Sequence, residues 1–459
     1  MPHRARRSPP KPGVVDSRWK NVLVLGGSYG GARAARVLAE GLPPGYRVLL
    51  IERQSHFNHL YVFPRYIVVP HHEHKAFIPY ADLNPPAPPA AKPKPKPALY
   101  PEGDDFYYSA DMHFPPSRSA KPTGPHLVLH ATVKEITRES VTLNREFPEH
   151  ELGTQVPYAF LIYALGSVMP KPLLMPPDAL YKLGGVAWMI DQGSRIRRAK
   201  HVVVVGGGAL GIQYASDIKD HYPQAEVTLI HSRAHLLPRF DPAMHPLIKS
   251  HLHKLGVDVI LGDRLLDPTI QNGRVHTLKG REIECDHLIL CTGQQPNTAL
   301  LAGAFADALN PLTGHATVLR TMQLCPYDLP SLSSTSDPCP LTSPPTRLPP
   351  PRRTPWPNLF AIGDAADAFG AIKAGHTAHY QAETAARNVL LLIAHSLGQR
   401  LTEDLEEYTP GAAAIKLTVG VRQAIVQKGE GIEEVECGED LDAEVMWKAM
   451  GADATHMWE

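Results

Sequence analysis

Short apolar runs alternate with helical patterning along most of this chain. Val22-Leu23-Val24-Leu25 leads into Gly26-Gly27-Ser28-Tyr29-Gly30-Gly31. From Gly31 to Leu38 small and apolar residues then fall on one helical face. The spacing predicts a strand, a tight turn and a helix. The next apolar run, Val48-Leu49-Leu50-Ile51, ends at Glu52. The pattern then recurs. Val202-Val203-Val204-Val205 leads into Gly206-Gly207-Gly208-Ala209-Leu210-Gly211, a helix over Ile212 to Ile218 follows, and the run Val227-Thr228-Leu229-Ile230 ends at His231-Ser232-Arg233. This recurrence predicts an α/β fold with two Rossmann-like dinucleotide-binding units.

Three further strands end in glycine. Leu161-Ile162-Tyr163-Ala164-Leu165 delivers Gly166, Leu288-Ile289-Leu290-Cys291-Thr292 delivers Gly293, and Leu359-Phe360-Ala361-Ile362 delivers Gly363-Asp364. Their order predicts a discontinuous first domain over 18–170 and 292–390. A second domain over 171–291 is inserted in it, and a small C-terminal element covers 391–459. Ala414 to Val419 reads as a strand of that element, ahead of an acidic stretch ending in Glu439-Asp440-Leu441-Asp442. Two Pro-rich insertions, over 85–125 and 326–357, read as surface loops or disorder, because they cannot bury enough apolar surface to offset their ordering entropy.

Each glycine loop has the chemistry of an anion cradle. The first glycine makes the tight turn and the second lets backbone N–H groups approach a pyrophosphate. The third lets helix and strand pack closely, so that the helix N-terminus faces the anion. Gly26, Gly27, Gly30 and Gly31 serve the first loop, with Ser28 at the middle glycine; Gly206, Gly208 and Gly211 serve the second. The residue ending the next strand selects the dinucleotide. Glu52 suits the two ribose hydroxyls of an adenosine. The second unit has His231 and Arg233 there, with no carboxylate; an acid would repel a 2′-phosphate and an Arg can pair with it. NADPH, or NADH, is the expected second nucleotide. Asp364 can accept a hydrogen bond from a ribityl hydroxyl while the helix after it points at a flavin or its phosphates.

In this order the five motifs resemble the pyridine-nucleotide–flavin oxidoreductases with two dinucleotide-binding domains, a glutathione-reductase-like FAD/NAD(P) fold. Within them the chain is most similar to the apoptosis-inducing-factor homologues of the ferroptosis-suppressor type, and beyond those to type II NADH dehydrogenases. The resemblance covers roughly residues 20–425. It implies FAD contacts at Gly26, Gly27, Ser28, Tyr29 and Gly30, and at Glu52, Arg65, Val133 and Asp364. It also implies that Lys373 and Gln381 lie in the helix after the Gly-Asp pair, beside the isoalloxazine. A Lys373 cation there would favour an anionic reduced flavin. Many relatives carry an acid where this chain has Gln213.

Composition narrows the partners. The 46 basic and 46 acidic residues give a formal net charge of +0, which argues against a nucleic-acid partner. No apolar run reaches the roughly 18 residues of a transmembrane helix, although peripheral membrane contact stays open. Met1-Pro2-His3-Arg4-Ala5-Arg6-Arg7 has no apolar region behind it, and Pro2 excludes N-myristoylation. Five cysteines without a framework fit reduced thiols in a cytoplasmic compartment, with a mitochondrial or membrane-peripheral place left open. Oligomeric state is not readable. His56, His59, His71, His72 and His74 match no common zinc spacing, so no metal is expected. Cys285 and Cys291 flank a strand, and the segment after Glu52 has no cysteine, which removes most of the case for a disulfide acceptor.

The expected activity is hydride transfer from nicotinamide to flavin, then electron transfer to a quinone-like acceptor that the resemblance implies. For the hydride step the protein supplies position and electrostatics rather than a general acid or base. Two other classes stay open. A redox-sensing flavoprotein would use the same domains with poor turnover. A flavin monooxygenase would need the pattern Phe-x-Gly-x-x-x-His-x-x-x-(Trp or Tyr) between the loops, and it is missing.

Overall fold

The computed structural model describes residues 19–84, 125–327, 354–399 and 404–458. The basic opening of the chain and nearly all of both Pro-rich insertions lie outside the described residues. Strand Lys20–Leu25 sits at the centre of a five-stranded parallel sheet. The order is Leu359–Ala361, Phe160–Tyr163, Lys20–Leu25, Tyr46–Glu52, Leu127–His130. Val22 to Leu25 and Val48 to Ile51 are buried throughout, the condition for continuous apolar strands. Helix α1 (Tyr29–Gly41) follows the first strand, and the short α2 (Phe63–Val68) follows the second.

Helix α3 (Lys182–Arg198) leads into a second, four-stranded parallel sheet, ordered Asp258–Leu261, Glu226–His231, His201–Val205, His287–Leu290. Helices α4 (Ala209–His221) and α5 (Met244–Leu255) belong to it. The α/β class with two Rossmann-like units is borne out. The chain passes between the sheets at Gly166 and Gly293, both at positive φ. Just beyond them Ser167–Val168 pairs antiparallel with Gln295–Pro296, tying the two crossings together. Helix α6 (Gly375–Ser396) follows the Gly-Asp pair and meets α1, with Gly30 against Ala378.

The C-terminal element is a three-stranded antiparallel meander, Ile415–Thr418, Gln423–Lys428 and Gly431–Glu436, followed by α7 (Ala443–Ala449). Leu417, Ala424 and Ile425 enter one core with α2, α4 and α5. Helix α7 buries Trp447 against Phe57 and Ile78, and the Trp447 indole N–H donates to the Lys75 carbonyl at 2.9 Å. The element therefore packs on both halves of the molecule. No helix among the described residues is long and apolar enough to cross a membrane.

Candidate functional site

The two glycine loops have the same backbone. Gly26 N–H donates to Ile51 O at 2.9 Å, and Gly206 N–H donates to Ile230 O at 2.8 Å. Both glycines turn the chain at positive φ, +96° and +120°. A Cβ on Gly31 would lie 1.8 Å from Gly26 O, and one on Gly211 would lie 1.8 Å from Gly206 O. Only glycine permits that contact of helix with turn. Ser28 and Gly208 occupy the same position, both extended at the start of a helix. A Cβ on Gly208 would meet nothing within 4 Å, so this edge of the second loop is open space for a ligand.

The strand-end residues differ in chemistry but brace the loops alike. Glu52 Oε2 accepts from Gly27 N–H at 2.7 Å, and its Oε1 accepts from Gln54 N–H at 2.9 Å. Each oxygen retains a lone pair for a ribose hydroxyl. His231 Nδ1 accepts from Gly207 N–H at 3.0 Å, while its Nε2 lies 3.1 Å from His235 O. A carbonyl can only accept, so the proton sits on Nε2 and the ring is neutral. Burial holds His231 below the ordinary histidine range. Sequence reading placed His231 at a nucleotide ribose; the geometry adds a bracing role that no local pattern announces.

A cleft of about 1140 Å³ opens between the two halves. It is bordered by Tyr29 from the first loop and by Gly206 to Ala209 from the second. Arg233, Arg239 and Arg264 line it from the half that carries the second loop. Gly262 N–H donates to Arg233 O at 3.1 Å, which brings the Arg233 and Arg264 loops together. The nearby acid Asp263 is buried, and its Oδ1 accepts from the N–H groups of Arg264 at 2.8 Å and Lys279 at 3.3 Å. The cleft is also lined by Tyr61, and by Leu441, Met446 and Met450 from the C-terminal element. Neither Arg264 nor these methionines could be read from sequence, because their loops meet the glycine motifs only in space.

Asp364 also lines the cleft. Its Oδ2 accepts from Ser167 Oγ and Gln294 Nε2, each at 3.0 Å. Burial raises its carboxyl group against the opposing pull of Ser167 and Lys373. Gln381 is buried in α6, and its Oε1 accepts from Gly363 N–H at 2.7 Å, so it fixes the Gly-Asp turn. Lys373 lies outside that helix, correcting the expectation: α6 starts at Gly375, and the Lys373 ammonium donates to Ala366 O. It still borders the cleft.

Arg65 is a second correction. Its guanidinium is fully buried away from the cleft, paired with Asp217 through Nε–Oδ2 at 2.8 Å and Nη2–Oδ1 at 3.0 Å. It also donates to Gly420 O at 2.8 Å and Val421 O at 2.7 Å. With its donors committed, it ties α2 to α4 and the meander rather than meeting FAD. Val133 opens a strand just beyond the Ala131 N–H that donates to Glu52 O at 3.0 Å, at the adenosine end of the first unit.

The remaining candidates separate. Cys285, Cys291, Cys325 and Cys437 are free, and burial pushes the Cys285 thiol up to about 11. His59 bonds Tyr29 Oη at 2.7 Å, His72 stacks on Tyr66, and His74 meets Trp458. The group does not converge, and among the described residues no cluster of three or more His, Cys, Asp or Glu could hold a metal.

Two matched anion cradles, an adenosine-type acid and an open cleft between them define a flavin- and nicotinamide-dependent oxidoreductase. The family description pyridine nucleotide-disulphide oxidoreductase matches residues 20–317, and the chain belongs to that family. FAD and NAD(P)H are its cofactors, and the first loop, Glu52 and Asp364 fit the former. The chain is 38% identical over 460 residues to Fe-regulated protein 8 of Mycosarcoma maydis, covering 97% of this chain and 98% of that one. It is 26% identical to ferroptosis suppressor protein 1 of Taeniopygia guttata, covering 94% and 95%. Reduced Bacillus anthracis CoADR-RHD shares the fold, with TM-score 0.56 and 18% identity over 90% of this chain; this chain covers 62% of that protein. Putidaredoxin reductase, in its covalent putidaredoxin complex, gives TM-score 0.53 at 18% identity, covering 90% and 82%.

Proposed function

We propose that this flavoprotein takes hydride preferentially from NADPH and delivers the electrons to a quinone-like acceptor. One observation carries the reading. A single cleft is lined by the second loop, by Arg233, Arg239 and Arg264, and by Tyr61, Met446 and Met450. Arginines at the rim suit a 2′-phosphate. An apolar wall with methionines suits a planar, weakly polar acceptor. The relatives named ferroptosis suppressor protein 1 support the same class of chemistry.

In this reading the chain's residues bind and orient. The second loop presents N–H groups to the nucleotide pyrophosphate while neutral His231 holds Gly207 in place. Glu52 would hold the FAD adenosine, and Asp364, fixed by Ser167 and Gln294, would accept from the ribityl chain. FAD, when bound, supplies the two-electron relay between nicotinamide and acceptor. Anaerobic titration of the purified protein with NADPH, followed by a short-chain ubiquinone, tests the proposal. Flavin bleaching that the quinone reverses within turnover time supports it. Reduced flavin that persists with quinone present would instead favour the redox-sensing class.

A further inference from the structure

We infer that His379, backed by Glu383, is the proton donor to the acceptor. This rests on the quinone-type reading above, and concerns the acceptor half of the reaction rather than hydride transfer. His379 lies on α6 and lines the cleft together with His376, one turn nearer the helix start. Its Nε2 stands 3.4 Å from Glu383 Oε1, an i,i+4 pair with side chains only 15% and 19% exposed. The helix thus carries an imidazole from the cleft to a carboxylate behind it.

The surroundings keep that carboxylate charged. Arg33 of α1 donates its Nε–H to Glu383 Oε1 at 2.9 Å, and Arg387 donates to Oε2 at 3.2 Å. Arg387 is itself held by Glu406, both contacts at 2.8 Å. Burial opposes the charge on Glu383, but the His379 and Arg33 bonds outweigh it and hold the carboxyl far below the usual range. From the helix itself His376 faces His379, and Lys373 and Asp364 are the charged groups at the adjoining turn of the cleft. A carboxylate that stays ionised at working pH favours the imidazolium form of its partner.

The bookkeeping of the reaction needs such a group. Reducing a quinone to a hydroquinone takes two electrons and two protons. NADPH supplies a hydride, which accounts for both electrons and one proton. The second proton comes from His379: its N–H bond breaks, an acceptor O–H bond forms, and neutral imidazole is left to regain a proton from water.

Replacing His379 with Gln separates this role from structure. Turnover with a short-chain ubiquinone should fall about a hundredfold, the usual size of a general-acid contribution. Ferricyanide takes single electrons and no proton, so its reduction should stay within about twofold, as should flavin reduction by NADPH. The imidazole can also be watched without turnover. In the full chain labelled with 13C-histidine, the signal missing from His379→Gln identifies that imidazole, and its midpoint can be compared between the parent and Glu383→Gln. Glu383→Gln should move it down. Equal losses with quinone and ferricyanide, no loss with either, or a His379 titration indifferent to Glu383→Gln would each overturn the assignment. If the parent protein fails to reduce the quinone at all, the acceptor reading falls and takes this inference with it.

Discussion

The two glycine loops are one backbone put to two uses. Their turns, their first hydrogen bonds and the contacts that exclude a Cβ at Gly31 and Gly211 match. They part at two positions. Where the first loop has Ser28, the second has Gly208 facing open space. Where the first strand ends in a carboxylate, the second ends in a neutral imidazole beside an exposed arginine. The turn is common to both loops, and the strand end is where their chemistry differs. The first half also surrounds its loop with protein: Tyr80 Oη donates to Gly27 O at 3.1 Å, and Tyr29 packs on Phe57. The second half leaves its loop on the cleft, as suits a nucleotide that comes and goes.

The strongest way to break this comparison is at the shared glycines. Gly31→Ala and Gly211→Ala each drive a methyl group into a backbone carbonyl. Each should cost at least about 1–3 kcal/mol of stability, read by denaturant unfolding. Gly31→Ala should also lose FAD, and Gly211→Ala the NADPH response. If both variants unfolded at the wild-type midpoint, the common packing rule would be wrong.

Gly208→Val sharpens the contrast, because a Cβ at this position meets no protein atom within 4 Å. Unfolding and flavin content should stay at wild-type values, while NADPH reduction of the flavin drops at least about tenfold, equivalent to 1.4 kcal/mol. Loss of flavin from this variant would mean the two loops have been assigned the wrong way round.

Arg233→Ala tests the strand end. It should cost roughly 1–3 kcal/mol of NADPH recognition and leave NADH nearly untouched. The measurement is the NADPH/NADH ratio of kcat/KM; a ratio equal to wild type would show Arg233 to be a solvated rim residue.

The smallest effect is one of pH. His231 is held below the ordinary range by burial, and buried His59 is pushed down to about 3. For such groups the unfolded chain binds protons first. Stability is complete above about pH 6.5 and falls as pH drops toward 3, by at most about 1.4 kcal/mol per pH unit for each histidine. His59→Phe should flatten part of that slope in unfolding midpoints measured across the range; an unchanged slope would show that His59 takes a proton in the folded protein.

Sequence served well where the chemistry is local. A glycine loop is written in six consecutive residues, and the strand before it and the acid after it lie close by. It served badly where partners are remote. The resemblance alone implies Arg65 as a cofactor ligand, yet Asp217, Gly420 and Val421 claim it from far along the chain. The resemblance implies a helix at Lys373, but Ala374 is extended and Gly375 starts that helix. Met446 and Met450 reach the cleft only because Trp447, between them, anchors α7 in a pocket made by Phe57 and Ile78.

The buried Arg65–Asp217 pair has a consequence for how the molecule is made. A guanidinium without water needs all its acceptors, and two of them, the carbonyls of Gly420 and Val421, belong to the meander, far along the chain from α2 and α4. Until those residues leave the ribosome, α2 and α4 cannot close around the ion pair without leaving charge unsatisfied. Both halves can gather their own sheets during synthesis, but the joint between them has to wait. The meander thus closes the joint: a nascent chain halted short of it holds both nucleotide loops and still lacks the contacts that join the two halves.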